Sequence, residues 1–282
     1  MSGFLDEMAR SSRERVRSAR GARAEAALER EARAAPEAPP LRLDGGGFDL
    51  IAELKLRSPA AGSLASPGED LTARVRAYGA AGAAAVSVLT EPSRFAGSLD
   101  HLSAAARALA PRGVPVMRKD FLVDPYQLLE ARAAGAGGAL LIARMLSRAD
   151  LDALIECARS LGLFVLLEAF DAADLELVSE LIGAHGRSAQ LLAGVNCRDL
   201  TTLEVAPQRL LELAPLLPAD VPRVAESGIA TADDARRIAA AGYQLALVGS
   251  ALMTGADPRA SVRALLAAGR AAGKARSACE AS

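Results

Sequence analysis

Residues 115–143 read PVMRKDFLVDPYQLLEARAAGAGGALLIA and contain one full repeat of the pattern that runs through the chain. Short apolar runs at Pro115–Lys119 and Ala139–Ala143 flank a stretch rich in Ala, Leu, Glu and Arg with helical spacing of its apolar residues. Near-continuous apolar runs indicate strands buried on both faces, as in a parallel sheet covered by helices. The segment therefore predicts a strand, a helix and a second parallel strand.

The same alternation extends to both sides of this segment. The other candidate strands are Leu50–Lys55, Ala84–Leu89, Phe164–Glu168, Leu191–Asn196, Arg223–Glu226 and Leu245–Gly249. Eight βα units predict an α/β fold, a single (β/α)8 TIM barrel with an N-terminal helical extension. An open doubly wound sheet is the alternative, but no glycine-rich dinucleotide fingerprint follows the first strand.

Both ends of the chain differ from this pattern. Residues 3–34 read as an amphipathic helical leader, and prolines and glycines between Ala35 and Gly47 mark its junction with the barrel. We therefore expect an extension and linker over residues 1–46 and a barrel over residues 47–272. Residues 273–282 are expected to form a frayed tail.

Composition narrows the class of function. A net charge of −1 argues against nucleic-acid and membrane partners, and it favours a small-molecule substrate. Three widely spaced cysteines match neither a disulfide framework nor a metal site, and no secretory signal or membrane span is apparent, so a cytoplasmic location is expected. His101 and His185 stand apart from other metal-ligating residues, so no metal is expected.

Polar residues follow nearly every candidate strand. The strand ends carry Glu53, Lys55, Lys119, Glu168, Asn196, the run Glu226–Ser227–Gly228 and the pair Gly249–Ser250. Each alone could be a solvated strand end or an ordinary turn, but the carboxyl ends of barrel strands meet at one mouth, where barrel enzymes carry their active sites.

Two features of this mouth suggest chemistry. Two ammonium groups, Lys55 and Lys119, lower each other's pKa while carboxylates raise it, so a lysine here can be tuned to donate a proton near neutral pH. Small residues after the last two strands expose backbone N–H groups, which is typical of a phosphate site in barrels.

Several long strings resemble the indole-3-glycerol-phosphate synthase family. They are IAELKLRSPAAG at 51–62, SVLTEPSRFAGSL at 87–99, PVMRKDFLVDPYQLLEARAA at 115–134, GVNCRDL at 194–200, ESGI at 226–229 and VGSAL at 248–252. The resemblance spans residues 4–258. It implies ring closure, decarboxylation and dehydration of a phosphorylated anthranilate substrate in tryptophan biosynthesis, with no cofactor. A monomer or weak homodimer is expected.

The resemblance also implies roles for particular residues. Lys119 would be the general acid and Glu168 the general base, while Lys55 would be a second acid or an electrostatic partner. Glu53 and Asn196 would orient these groups, Arg198 would bind the anthranilate carboxylate, and Ser58 would assist with an anion. Glu226, Ser227, Gly228, Gly249 and Ser250 would surround the phosphate; Phe95, Phe121, Leu140, Leu200 and Leu247 would form an apolar wall, or be ordinary core.

The chain departs from the family pattern at two places. Ala60–Ala61 stands where the family has Ser-Lys, which removes a hydroxyl and a charge from the first βα loop. Cys197 stands where Asn or Ser is common, and its side chain is expected to point away from that of Asn196. Arg198 could lower the pKa of this thiol, but no histidine is adjacent.

Three alternatives remain at the level of sequence. Phosphoribosylanthranilate isomerase would not explain two lysines at the mouth, and a Schiff-base aldolase would form an imine that borohydride traps. A non-catalytic barrel that acts as a binding partner is the third.

Overall fold

The eight apolar runs form a closed barrel of parallel strands. The computed structural model describes residues 3–44, 46–66, 68–186, 190–199 and 202–280, with side chains to residue 276. The barrel strands in the described residues are β1 (Asp49–Leu54), β2 (Ala85–Leu89), β3 (Val116–Lys119), β4 (Gly138–Ile142), β5 (Phe164–Ala169), β6 (Leu191–Asn196), β7 (Arg223–Glu226) and β8 (Leu245–Val248). Each strand pairs with its neighbours in chain order and β8 closes onto β1, so the predicted fold is confirmed.

Helices surround the barrel. They are α1 (Phe4–Ala22), α2 (Glu25–Ala34), α3 (Leu71–Ala80), α4 (Pro92–Phe95), α5 (Leu99–Leu109), α6 (Pro125–Ala133), α7 (Arg148–Ser160), α8 (Ala172–His185), α9 (Gln208–Leu213), α10 (Ala232–Ala240), α11 (Ser250–Thr254) and α12 (Pro258–Glu280). Within the part of the chain that the structure describes, single turns of 3-10 helix lie at Ala110–Arg112, Ala143–Met145 and Ala214–Leu216. In the described residues, no helix is long and apolar enough to cross a membrane.

Both ends of the chain differ from the sequence prediction. The leader is two helices, because Arg23 adopts an extended backbone conformation between α1 and α2. At the other end, α12 continues to Glu280, through most of the segment that was expected to fray. Between Leu54 and α3, a short hairpin that was not predicted joins Arg57–Ser58 to Gly62–Ser63.

Alternation along each strand divides the core into two parts. One set of positions, including Ile51, Met117, Leu166, Val224 and Leu247, fills the barrel interior. The intervening positions pack against the helices. Because side chains on a strand alternate with a period of two, the interior set continues at the carboxyl ends to charged residues.

Candidate active site

Four charged side chains form the uppermost layer of the barrel interior. Glu53, Lys119, Glu168 and Glu226 come from alternate strands β1, β3, β5 and β7, the arrangement by which barrels build interior layers. All four line a cavity of about 380 Å³ at the carboxyl end of the barrel. The three carboxyl side chains are buried, Glu226 with 1% exposure. Together with Lys55 and Asn196, which line the same cavity, we call these residues the inner cluster.

Short polar contacts join the inner cluster. Lys119 Nζ lies 3.2 Å from Glu168 Oε1 and 3.5 Å from Glu226 Oε2. Asn196 Nδ2 donates a hydrogen bond of 2.8 Å to the same Glu168 oxygen. Lys55 Nζ lies 3.0 Å from Glu53 Oε1. The predicted acid and base are therefore in direct contact, and the two lysines have different carboxylate partners.

The electrostatics differ from the expectation of a lysine tuned toward neutral pH. Burial alone would lower the pKa of Lys119, but the carboxylates of Glu168, Glu226 and Glu53 outweigh it and raise this pKa above its ordinary value. Repulsion between the two lysines was expected to lower the pKa of one of them. In the structure the nearest charges to Lys119 are carboxylates, so in the resting protein the ammonium holds its proton firmly.

Two glycines make room for the cluster. A Cβ on Gly194 would lie 2.5 Å from Glu226 Oε1, and a Cβ on Gly249 would overlap Glu53 Oε1. Real Cβ atoms do not approach so closely, so any other residue would displace these carboxyl groups. Gly194 of β6 and Gly249, which follows β8, therefore fix where two carboxyl groups lie.

The cavity wall beside β7 and β8 is built from backbone and small residues. Ser227 and Gly228 follow Glu226 with φ values of 68° and 70°, a left-handed conformation that is uncommon for serine. The N-cap of the five-residue helix α11 is Gly249, which has no side chain to accept from first-turn N–H groups. In contrast, a capping box of Thr231 and Asp234 closes the N-terminus of α10.

Apolar side chains cover the opposite part of the cavity. Phe95, Phe121, Leu140 and Leu247, which the family resemblance assigned to an apolar wall, line it. Phe4 of the leader also lines it and packs edge-on against Phe121, with ring centroids 5.7 Å apart. Phe95 and Phe121 are tilted rings 6.2 Å apart. An apolar, partly aromatic wall thus faces the charged floor.

A second buried charged group lies on the other face of β3. Arg118 and Asp120 flank Lys119, and we call Arg118, Asp120 and their partners Arg15, Thr90, Gln127 and Glu130 the outer network. Arg118 donates from all three of its guanidinium nitrogens, and both oxygens of Asp120 accept hydrogen bonds. Burial would raise the pKa of Asp120, but Arg15 and Arg118 lower it from 3.8 to about 2.

Most of the predicted site residues line one cavity. Arg198, Ser227, Gly228, Gly249 and Ser250 line it beside the inner cluster and the wall. Ser58 does not line it: this residue lies in the hairpin, and its Oγ accepts a hydrogen bond from Ala60 N. Leu200 lies outside the described residues. Arg198 Nη1 donates a hydrogen bond of 2.8 Å to Leu203 O, so part of its guanidinium group is already bound to the following loop.

Some lining residues were missed by the sequence analysis. Leu89 and Ile142 end β2 and β4 at interior positions, so strand alternation alone could have identified them. Asp120 and Val205 lie in loops, and Phe4 belongs to the leader. No local signal marks Phe4, because its place in the cavity depends on how α1 packs against the barrel mouth.

Three further expectations concern reactivity and metals. Cys197 is buried in the outer core, and its Sγ donates to Ser227 O, so it points away from Asn196 as predicted. Burial raises the pKa of this thiol to about 11, because it outweighs the lowering by Arg198. The side chains of Ala60 and Ala61 are exposed beside the hairpin turn. No group of His, Cys, Asp and Glu in the described residues is arranged to hold a metal ion.

Comparisons with a family model and with curated relatives point to the same family. A family model described as indole-3-glycerol phosphate synthase matches residues 5–265. Curated relatives with this name include one from Parafrankia sp., 46% identical, with 78% of each chain covered. The relative from Kineococcus radiotolerans is 46% identical, with 79% of this chain and 77% of the relative covered. The relative from Mycolicibacterium smegmatis is 43% identical, with 86% of each chain covered.

Solved structures with the same fold are more distant in sequence. One is 3-hexulose-6-phosphate synthase from Salmonella typhimurium, with a TM-score of 0.60 and 13% identity over 80% of this chain and all of that one. Another is thiamine phosphate pyrophosphorylase from Pyrococcus furiosus, with a TM-score of 0.58 and 15% identity over 80% of this chain and 98% of that one. At these identities the likeness supports the barrel fold alone.

Proposed function

The chain belongs to the indole-3-glycerol phosphate synthase family, and we propose from this premise that its inner cluster carries out the proton transfers of ring closure. The reaction converts 1-(2-carboxyphenylamino)-1-deoxyribulose 5-phosphate to indole-3-glycerol phosphate, with loss of carbon dioxide and water. The isomerase, the aldolase and the non-catalytic barrel are set aside by this membership. The observation that carries the proposal is the contact of Lys119 Nζ with Glu168 Oε1 at 3.2 Å on the cavity floor.

Lys119 acts as the general acid in this proposal. Its ammonium donates a proton to the carbonyl oxygen of the ring-opened sugar, which makes the carbonyl carbon electrophilic for attack by the anthranilate ring. Carbon dioxide leaves as the ring regains aromaticity. Support comes from the position of Lys119 at the end of β3, where it faces the cavity and is held by two carboxyl groups.

Glu168 acts as the general base and Asn196 orients it. The Asn196 amide bonds to Glu168 Oε1 at 2.8 Å, which fixes the carboxyl group next to Lys119. Lys55 forms a separate pair with Glu53 at 3.0 Å, so we assign this pair to charge balance and to binding of the substrate hydroxyl groups. Arg198 offers a planar guanidinium to the anthranilate carboxylate.

The phosphate and the ring occupy opposite ends of the cavity in this proposal. Ser227, Gly228, Gly249 and Ser250 surround the phosphate beside Glu226, and they offer backbone N–H groups and hydroxyls. Phe95, Phe121, Leu140 and Leu247 contact the anthranilate ring. The roughly 380 Å³ cavity lies in the size range of small-molecule sites.

We also infer a cytoplasmic monomer or weak homodimer. Cys157 and Cys197 carry free thiols, in keeping with a reducing compartment. The exposed large apolar side chains in the described residues are Leu43, Leu211 and Leu216, fewer than an obligate interface uses. Analytical ultracentrifugation over a range of concentrations measures the assembly directly.

The proposed function is tested by supplying the substrate and following the fluorescence of the indole product. Wild-type protein is expected to turn over, whereas Lys119→Met and Glu168→Gln are expected to lose nearly all turnover with an unchanged circular dichroism spectrum. Glu180→Gln, a surface substitution of the same type, serves as the control. Wild-type rates in both cavity variants would contradict the role assignment. Borohydride is expected to trap no substrate on either lysine.

A further inference from the structure

Glu226 carries a carboxyl oxygen that the mechanism above leaves unexplained. Its Oε2 faces Lys119 Nζ at 3.5 Å, but no donor reaches its buried Oε1 in the described residues. An ionised carboxylate accepts hydrogen bonds at both oxygens, and a buried acceptor without a donor is costly. A protonated carboxyl group resolves this cost, because the oxygen then donates.

The partner for that donor is Glu168. Glu226 pairs with Asn196 in register, and Glu168 pairs with Gly194, so Gly194 of β6 lies between the two carboxyl groups. Since Gly194 has no side chain, Glu226 Oε1 extends into the gap. The carboxyl groups of Glu168 and Glu226 both contact Lys119 Nζ, at 3.2 Å and 3.5 Å, so they lie next to each other on the cavity floor. Two carboxyl groups can form a hydrogen bond with each other only if one of them carries a proton.

Charge in the inner cluster favours the same state. Lys55 is paired with Glu53, so Lys119 alone faces both Glu168 and Glu226. Asn196 supplies a further donor to Glu168, whereas the Glu226 carboxyl group has, among the described residues, only the longer contact with Lys119. Fewer donors therefore stabilise the ionised form of Glu226 than that of Glu168, so protonating Glu226 costs less free energy.

We propose that Glu168 and Glu226 share one proton in the resting enzyme, and that this stored proton recharges Lys119 between the two protonations of the leaving oxygen. The proposal rests on the proposed function of Lys119 and Glu168. Burial, and then the charge of Glu168, raise the pKa of Glu226 well above its ordinary value, in agreement with a stored proton.

If Lys119 makes both protonations, the proton balance of the reaction calls for such a store. The substrate oxygen leaves as water and so receives two protons, while the base removes one proton from the ring carbon next to nitrogen. The substrate carboxylate leaves as neutral carbon dioxide. Each turnover therefore takes up one proton net. A single lysine cannot protonate the same oxygen twice unless it is recharged.

The steps balance if the shared pair recharges Lys119. The ammonium first protonates the carbonyl oxygen as the carbon–carbon bond forms. The amine then takes the stored proton from the shared pair, whose nearest oxygens, Glu168 Oε1 and Glu226 Oε2, lie 3.2 Å and 3.5 Å from Nζ. The bond to carbon dioxide breaks, and its electron pair restores the aromatic ring. Lys119 next protonates the hydroxyl group and the carbon–oxygen bond breaks. Glu168 accepts the proton from the ring carbon, and the electron pair of the broken C–H bond forms the new double bond. This proton restores the one that Glu168 and Glu226 share. A proton from solvent then recharges Lys119.

The groups that face Glu226 set its pH dependence. They are Glu53 and Lys55 from β1 and its end, Lys119 from β3, Glu168 from β5, and Cys197 and Arg198 after β6. As pH rises, the pair is expected to lose its shared proton before Lys119 does, because Lys119 keeps the charge that the carboxylates favour. Turnover is expected to fall through that transition.

Infrared difference spectroscopy on ligand-free protein tests the proposal. Wild-type protein at neutral pH is expected to show a protonated-carboxyl C=O band that disappears in Glu226→Gln and titrates away at alkaline pH. Glu180→Gln, a surface substitution, is the matched control and is expected to keep the band. Gly194→Ala is a second variant that displaces Glu226 without changing any charge, and the band is expected to titrate at lower pH in it. Absence of the band in wild-type protein, or its persistence in Glu226→Gln, would overturn the proposal.

Kinetics separate a proton store from a structural role. In Glu226→Gln, kcat is expected to fall by about tenfold or more, and the alkaline fall of kcat seen in wild-type protein is expected to vanish. A lower kcat with the alkaline fall unchanged would contradict the store. The infrared result needs no substrate, so the failure of this proposal and the failure of the proposed function are distinguishable.

Discussion

Arg118, which is buried, and Lys119, which is partly buried, are consecutive cations, yet they belong to regions with opposite properties. Lys119 faces the cavity in the inner cluster, where Glu53 Oε2 and Glu226 Oε1 have no donor among the described residues. Arg118 faces outward in the outer network, where all of its nitrogens donate. The comparison teaches that a satisfied buried network stabilises the fold, whereas an incompletely satisfied one is available for proton transfer.

The largest expected effect is on turnover, in Lys119→Arg. Arginine keeps the positive charge between Glu168 and Glu226, but it does not release a proton at working pH. We expect kcat to fall by about 10²- to 10⁴-fold, the range of general acid catalysis, with little change in the unfolding midpoint. Steady-state kinetics and thermal unfolding measure both. Retained turnover would show that Lys119 acts only through its charge.

The reciprocal substitution, Arg118→Lys, is expected to affect stability instead. An ammonium cannot reach Thr90, Gln127 O, Glu130 and Asp120 together, and each buried acceptor left without a donor costs about 1–3 kcal/mol. We expect roughly 2–4 kcal/mol less unfolding free energy, measured by denaturant titration. An unchanged denaturation midpoint would contradict the claim that the outer face of β3 stabilises the fold while its inner face serves catalysis.

Acid unfolding should be sensitive to Asp120. Its pKa is lowered from 3.8 to about 2 in the folded state, so its stabilisation is present above the unfolded value. It is lost as pH falls through the folded value. We expect a loss of up to about 2 kcal/mol between pH 4 and pH 2 from this group. Asp120→Asn is expected to be less stable at pH 7 and to lack this part of the slope; an identical slope in the variant would contradict the assignment.

The smallest change in stability is expected for an exposed ion pair between the helical leader and the barrel. Arg20 forms two hydrogen bonds of 2.8 Å with Asp124, and its side chain is 40% exposed. Solvent screening limits such a pair to about 0.2–1 kcal/mol in spite of its geometry. Arg20→Ala is therefore expected to change the unfolding free energy by less than Arg118→Lys does, in the same denaturant titration. If Arg20→Ala lowered the unfolding free energy as much as Arg118→Lys, burial could not explain why one ion pair stabilises the fold more than the other.

Strand positions and the side chains that line the cavity could be read from the sequence because both depend on local rules. The eight apolar runs predict the strands to within a residue or so at each end, and the period of two predicts that Glu53 and Lys119 face inward. Phe4 could not be predicted, because its contact with Phe121 depends on the packing of a separate helix.

The pKa shift of Lys119 and the pairing of charges in the inner cluster could not be predicted from the sequence, for a different reason. Whether Lys119 has its pKa raised or lowered depends on which charges lie nearest, and the pairing of Lys55 with Glu53 is a matter of side-chain distances. The role of Gly194 depends likewise on the tilt of Glu226 toward β5. The sequence identifies the members of the cluster but not which of them are paired.

The most direct test of the central claim, that carboxyl groups from separate strands converge on the Lys119 ammonium, is its NMR titration. The chain has three lysines, Lys55, Lys119 and Lys274, so protein labelled with ¹⁵N at lysine side chains gives few signals. We expect the Lys119 signal to remain that of an ammonium above pH 10.5, the ordinary pKa of a lysine, and to shift in both Glu168→Gln and Glu226→Gln. A Lys119 signal that titrates at or below this ordinary value and does not respond to either substitution would contradict the account.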